Sequence, residues 1–93
     1  MAGATSSSPV FGSADPQAKA RRLARALVSD IVTYHPDRHD RSLTRGTLKQ
    51  EFREEIRKSW EEYTGQVGPQ MAHGTSHFRD ALNDILARGE RIF

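Results

Sequence analysis

Apolar residues recur in the first third of the chain at the spacing of one helical face. Between Asp15 and Tyr34 they occupy positions 20, 23, 24, 27, 28, 31 and 34, an i, i+3, i+4, i+7 series. Asp15 can accept a hydrogen bond at the helix start, and Pro16 suits the first helical position. The pattern predicts one long amphipathic helix whose buried stripe extends to Tyr34.

The segment that follows is typical of a corner between helices. A residue before proline is disfavoured in helical backbone, so the first helix should end at His35. Pro36 suits the first position of a second, short helix, and Asp37 lies near its positive end. Gly46 is the expected left-handed C-cap. We therefore predict a connecting helix to about residue 45, with Leu43 turned inward.

A second long amphipathic pattern runs from Thr47 to Val67. Thr47 and Gln50 match a capping box, and apolar residues at 48, 52, 56, 60, 63 and 67 form one arc. Opposite charges on the outer face stand four residues apart, each pair contributing ~0.2–0.5 kcal/mol. Gly65, Gly68 and Pro69 should end this helix.

A last helix is predicted after a loop over residues 68–74. It would begin near Thr75 or Ser76, carry apolar residues at 78, 81, 82, 85 and 86 on one face, and end at Gly89. No stretch alternates as a strand would. The predicted fold class is all-α, a small bundle of three to four helices in residues 15–93. Residues 1–14, rich in Gly, Ser and Ala, are predicted to form a disordered tail.

The small size of the patterned region bears on association. A lone core in a domain of this length supplies only ~3–5 kcal/mol. The chain has no cysteine, so no disulfide can add to it. Small helical pieces often complete their core between chains, which favours a homodimer or a subunit of a larger complex. The residues expected in the core or the interface are Leu23, Leu27, Ile31, Phe52, Ile56, Trp60, Leu82 and Ile85.

Charge and histidine spacing offer few sites for chemistry. The net charge is +2, and the excess of positive charge lies in the run over residues 19–25. That run is interpreted as a solvated or ion-paired face, with nucleic-acid binding as an alternative. Two pairs of histidines stand four apart, but each pair spans a predicted helix boundary, so they are expected to be solvated or capping. We predict no catalytic, cofactor-binding or metal-ligating residue and no cofactor.

The chain also lacks signals for membranes. No apolar run approaches the ~18–20 residues of a membrane span, and no signal-peptide core follows the first residue. The absence of cysteine fits a reducing compartment. The expectation is a soluble, cytoplasmic protein.

The sequence "YHPDRH" after a basic helix resembles the J-domain of co-chaperones. That resemblance implies docking on an ATP-driven heat-shock chaperone and stimulation of its ATP hydrolysis. The family's short first helix has no counterpart here, and the stretch from His35 to Phe52 is longer than the usual loop. The residues that the resemblance implies for docking are Arg21, Arg22, Arg25, His35, Pro36 and Asp37.

The pattern over about residues 17–90 resembles an uncharacterised bacterial helical module. That module occurs as a short protein or as the C-terminal tail of regulatory proteins, some with a zinc ribbon. The resemblance rests on "ARRLARALVSDI", the corner at Pro36, "GTL" and "ALNDILA". It implies helix termination at the corner, with no catalytic residues, and association or partner docking as the function. The predicted function is accordingly a non-enzymatic module that docks on itself or on a protein partner.

Overall fold

The computed structural model describes residues 15–93, and within that range the fold is all-α, as predicted. Six helices are present where three to four were predicted, and the described part of the chain contains no strand. The prediction for residues 1–14 lies outside the described residues. The helices are α1 (Pro16–Tyr34), α2 (Pro36–Arg45), α3 (Leu48–Glu51), α4 (Arg53–Val67), α5 (Pro69–Gly74) and α6 (His77–Ala81), and α6 continues into a π-helical turn (Leu82–Leu86).

Helix α1 is the central element, and it packs against α4, α6 and the π-helical turn. Its start is as predicted, since the Asp15 side chain accepts a hydrogen bond of 2.9 Å from the backbone N–H of Gln17. Its buried line consists of alanines and β-branched residues at positions 20, 24, 28 and 31. The small side chains at 20 and 24 allow neighbouring helices to approach closely.

The prediction that Tyr34 belongs to this buried stripe was wrong. Its side chain is 75% exposed. The buried line advances from 20 through 24, 28 and 31, so its next member is His35, which is partly buried. Tyr34 lies to one side of that line at the last position of α1, where no later element covers it.

The corner and the connecting helix are as predicted. Helix α1 ends at Tyr34, and Pro36 is the first residue of α2. Gly46 ends α2 in the left-handed region at a φ of 70°. A side chain at that position would be strained, which accounts for glycine there.

The capping box at Thr47 was wrongly predicted. The Thr47 hydroxyl is buried and forms no hydrogen bond, while the Thr47 backbone N–H donates to the Ser42 carbonyl at 3.0 Å. Thr47 therefore helps to close α2. Its backbone (φ −114°, ψ 24°) lies outside the extended region usual for an N-cap, and its side chain makes no capping hydrogen bond.

The predicted single helix over residues 47–67 is divided at Phe52. The backbone there departs from helical geometry (φ −109°, ψ 18°), although Phe52 still donates to the Leu48 carbonyl at 3.1 Å. The short α3 packs on α2, whereas α4 packs on α1. Because of the break, the first part of this amphipathic stretch packs on α2 and the second part packs on α1. Leu48 and Phe52 are both buried.

The predicted loop over residues 68–74 contains a helix instead. Gly68 turns the chain at a φ of 91°, and Pro69 then occupies the first position of α5. Proline is preorganised for that position, and Ala72 is buried against the core while Met71 packs at its edge. Gly68 and Pro69 were interpreted only as residues that end a helix, although together they also begin the next one.

The last helix is shorter than predicted and changes its winding. From Leu82 the turn widens, as the Ala87 N–H donates to the Leu82 carbonyl at 2.9 Å. The wider turn buries consecutive residues from Ala81 to Asn83. The helix ends where Arg88 and Gly89 adopt positive φ angles of 53° and 92°. Leu82, Leu86 and Ala87 thereby reach the same core as Phe52 and Tyr63.

Candidate interaction site

The corner that the sequence singled out is built around Phe52. This ring is fully buried, and the imidazoles of His35 and His39 lie 6.1 and 6.2 Å from its centroid. The Arg38 guanidinium stands over the ring at 4.5 Å from the centroid. The residue before α2 and the first turn of α2 thus pack aromatic and cationic side chains on the residue where α3 and α4 meet.

Arg38 ties α2 to the α3–α4 break. It donates to both carboxylate oxygens of Glu55, at 2.8 and 3.1 Å, and to the backbone carbonyl of Glu51. The hydrogen bond from Arg38 holds the pKa of Glu55 below its usual value, and the same bond raises the pKa of Arg38. Both side chains are mostly covered, so the pair is protected from solvent screening.

His39 is a buried structural donor. It is 1% exposed, and its Nε2 lies 2.7 Å from the carbonyl oxygen of Leu86. A carbonyl can only accept, so Nε2 carries the hydrogen. His39 was expected to be solvated or capping, and it caps. Helix α2 carries the ring under the π-helical turn, where it binds a carbonyl at the end of that turn.

Asn83 holds the last residues of the chain. Its side-chain oxygen accepts from the backbone N–H groups of Ile92 and Phe93, at 3.0 and 2.8 Å. Sequence reasoning missed Asn83 and Arg38. An amide inside the apolar run "ALNDIL" was the available signal, because a polar residue among core positions normally has a buried partner.

Acid should remove the contribution of the Arg38–Glu55 pair to stability. The pKa of Glu55 is depressed in the folded state, so its stabilisation is fully present above the unfolded pKa of about 4.3 and is lost as pH falls through the folded value. We expect Glu55→Gln to lower the free energy of unfolding by about 1–2 kcal/mol at neutral pH. The deficit should shrink steadily below about pH 4.

Urea titrations from pH 7 to pH 3 would measure this deficit. Glu90→Gln is the matched control, since Glu90 is exposed and makes no ion pair within residues 15–93. A Glu55→Gln deficit that persists unchanged at low pH would show that the carboxylate charge is not its cause.

The residues proposed for partner docking are not brought together in one surface. Arg25 reaches across to Asp84 at 3.3 Å, while Arg21 and Arg22 are exposed on α1. At the corner, Pro36 and Asp37 are exposed in the first turn of α2, and His35 is partly buried against Phe52. The J-domain-like role of this tripeptide stays a prediction.

The residues expected in the core or the interface fall into two groups. Ile31, Phe52 and Leu82 are buried. The others are only partly covered where they pack on the core, and these are Leu23, Leu27, Ile56, Trp60 and Ile85. Of this half-covered group, Leu23 lines one cleft and Trp60 lines another.

The first cleft is an apolar groove between α1 and the junction of α4 with α5. It has a volume of about 540 Å³. Leu23 and Ala26 line it from α1, and Val67 and Met71 line it from the other side. Its polar lining residues are Lys19, Arg22 and Gln66. We call this cleft the α1 groove.

The second cleft is lined by aromatic rings and lies among α4, α5 and α6. It has a volume of about 440 Å³, and its rings are those of Trp60, His73, Phe78 and Phe93. Trp60 meets Phe78 edge-on at 5.3 Å between centroids, and it meets His73 in the same way at 5.3 Å. Such pairs hold a ring in a fixed orientation, so this aromatic cleft is a preformed surface.

Neither a membrane span nor a metal cluster appears in the part of the chain that the structure describes. No helix within residues 15–93 is both long enough and apolar enough to cross a bilayer. The same residues contain no group of three or more histidine, aspartate or glutamate side chains placed to hold an ion.

Comparison of the chain with models of known protein families gave no match, and comparisons with curated proteins and with solved structures gave none either. The resemblances to the bacterial helical module and to the J-domain therefore stay predictions. What the protein does is inferred from its surfaces.

Proposed function

We propose that this protein is a non-enzymatic interaction module that docks on itself or on a protein partner through its half-covered apolar clefts. The observation that carries the proposal is the set of apolar side chains left partly exposed in the α1 groove and the aromatic cleft. Clefts of this kind, with an apolar floor and a polar rim, are typical of protein interaction surfaces.

The polar side chains at the corner support this reading, because their hydrogen bonds serve the fold. Arg38 is engaged by Glu55 and the Glu51 carbonyl, and His39 by the Leu86 carbonyl. These contacts fix α2 against the break and the π-helical turn. They make the corner a rigid support for the neighbouring surfaces.

Residue composition also favours a protein as the partner. Trp60 and Met71 are residue types enriched at protein interfaces, and both are partly exposed in the clefts. The rims carry cations, namely Lys19 and Arg22 at the groove and Lys49 and Arg79 at the aromatic cleft. A partner with acidic side chains around an apolar centre would complement both.

Site-specific photo-crosslinking in the protein's native cell tests this function. A photoreactive residue would replace Ala26, which lines the α1 groove, or Arg79, which lines the aromatic cleft. We expect a discrete protein adduct from at least one of these positions. Glu61, on the ion-paired outer face of α4, is the matched control and should give none.

An adduct supports the function only if the contact can be rebuilt from purified components. The captured protein, or a second copy of this chain, should bind the wild type. For an adduct from position 26, it should bind Ala26→Arg at least about tenfold more weakly and Gln70→Arg normally. Absence of adducts from both clefts would overturn the proposed function.

A further inference from the structure

One aromatic side chain of the described chain stands out into solvent with free carboxylates beside it. Tyr34 is 75% exposed, and Asp30, one turn earlier on α1, lines the same shallow hollow. Asp37 is exposed in the first turn of α2. Neither aspartate makes an ion pair within residues 15–93. Of the other charges at the hollow, Glu55 is engaged by Arg38, and Lys58 is the one cation among the lining residues.

The aromatic cleft has the complementary character. Lys49 and Arg79 are its charged rim, no acidic residue lines it, and neither cation makes an ion pair among the described residues. The Lys49 ammonium stands 6.0 Å from the centroid of the Phe93 ring. The aromatic cleft has a volume of about 440 Å³, which is ample for one tyrosine ring and its flanking chain. Asp80 follows Arg79 but is engaged by the Ser76 hydroxyl at 2.9 Å.

We propose that Tyr34 of one copy inserts into the aromatic cleft of a second copy. The inference rests on the proposed function and names its partner. The ring would pack among Trp60, Phe78 and Phe93, where edge-to-face contacts with aromatic rings are favourable. The ring would lie along the open cleft, so that its hydroxyl reaches the solvent at the far edge. At the other end of the side chain, Asp30 and Asp37 would face Lys49 and Arg79 of the other copy.

The inserting residue and the cleft are different surfaces, since the hollow at Tyr34 and the aromatic cleft share no lining residue. Two copies related by a twofold axis would exchange tyrosines, each inserting into the cleft of the other. Copies that give a tyrosine to one neighbour and receive one from another would form a ring or an extending chain instead. The contact between Tyr34 and the cleft is the same in both arrangements.

Mixing of two complementary variants tests the contact. Tyr34→Ala keeps the cleft, and the double variant Lys49→Glu/Arg79→Glu keeps the tyrosine. We expect sedimentation of the wild type to show self-association as concentration rises, to a twofold dimer or to larger assemblies. Each variant alone should associate about thirtyfold more weakly or worse, and their equimolar mixture should form a two-chain complex and nothing larger.

Controls separate loss of contact from loss of fold. Tyr34→Phe keeps the ring and should assemble like the wild type, and Arg53→Glu reverses an exposed charge outside the cleft. Circular dichroism should show all variants folded, since Tyr34, Lys49 and Arg79 are exposed. A wild type that stays monomeric, variants that assemble normally, or a mixture that stays monomeric would each overturn the inference.

These failures are distinct from failure of the proposed function. A monomeric chain that still gives a rebuilt contact with another protein from position 26 or 79 would retain the interaction module and exclude self-assembly through Tyr34. Absence of any adduct would overturn the proposed function, and with it the inference that rests on that function.

Discussion

We expect Phe52→Ala to lower the free energy of unfolding by about 3–5 kcal/mol. Phe52 is fully buried, and its ring contacts His35, His39 and the Arg38 guanidinium. Truncation would leave a cavity at the point where α2, α3 and α4 meet, and those elements cannot all collapse into it. It would also remove the surface against which the Arg38–Glu55 pair is sheltered.

Urea unfolding at high dilution, where association is negligible, measures this loss. A core of this size supplies only ~3–5 kcal/mol, so the variant should be largely unfolded in plain buffer. Adding the same concentration of sucrose to both proteins restores a measurable folded baseline.

Tyr34→Ala is the matched control, since it removes an aromatic ring of similar size from an exposed position. It should change stability by no more than about 0.5 kcal/mol. Equal losses from Phe52→Ala and Tyr34→Ala would mean that the corner does not organise the fold.

The parts of the fold that sequence predicted well are those fixed by local chemistry. The start of α1 at Pro16, the corner at Pro36 and the end of α2 at Gly46 depend on φ restriction, a missing donor and a left-handed cap. Each acts within a few residues, so it can be read without knowing the neighbours. The all-α class follows from apolar spacing in the same way.

The errors came where tertiary packing overrides local pattern. Nothing near Phe52 marks a helix break, and the chain departs there because α3 has α2 as its neighbour while α4 has α1. The π-helical turn that begins at Leu82 likewise depends on contacts with the core and on the hydrogen bond from His39 to the Leu86 carbonyl, which joins residues 47 apart in sequence. Tyr34 is three residues after Ile31, which fits the helical spacing of the buried stripe, yet the next covered residue is His35 and Tyr34 is exposed.

The candidate surfaces were predicted only in part, for the same reason. Leu23 and Trp60 were predicted as core or interface residues, but their positions in two separate clefts were not predicted. That arrangement depends on α5, which was predicted as a loop, and on Phe93, which Asn83 draws back onto the fold. A cleft made by several elements has no signature in any one of them.

The second large effect should come from His39. We expect His39→Ala to lower the free energy of unfolding by about 2–4 kcal/mol, because it opens a cavity and leaves the Leu86 carbonyl buried without its donor. His39→Leu separates these causes, since it fills the space without donating, and it should lose about 1–3 kcal/mol.

His39→Gln is the rescue variant, because its amide nitrogen can take the place of Nε2, and it should recover most of the loss. Urea unfolding gives the energies, and hydrogen exchange at residues 86–93 should quicken in the leucine variant and not in the glutamine variant. If leucine and glutamine prove equally stable, the hydrogen bond to Leu86 contributes little, and packing alone would hold α2 beneath the π-helical turn.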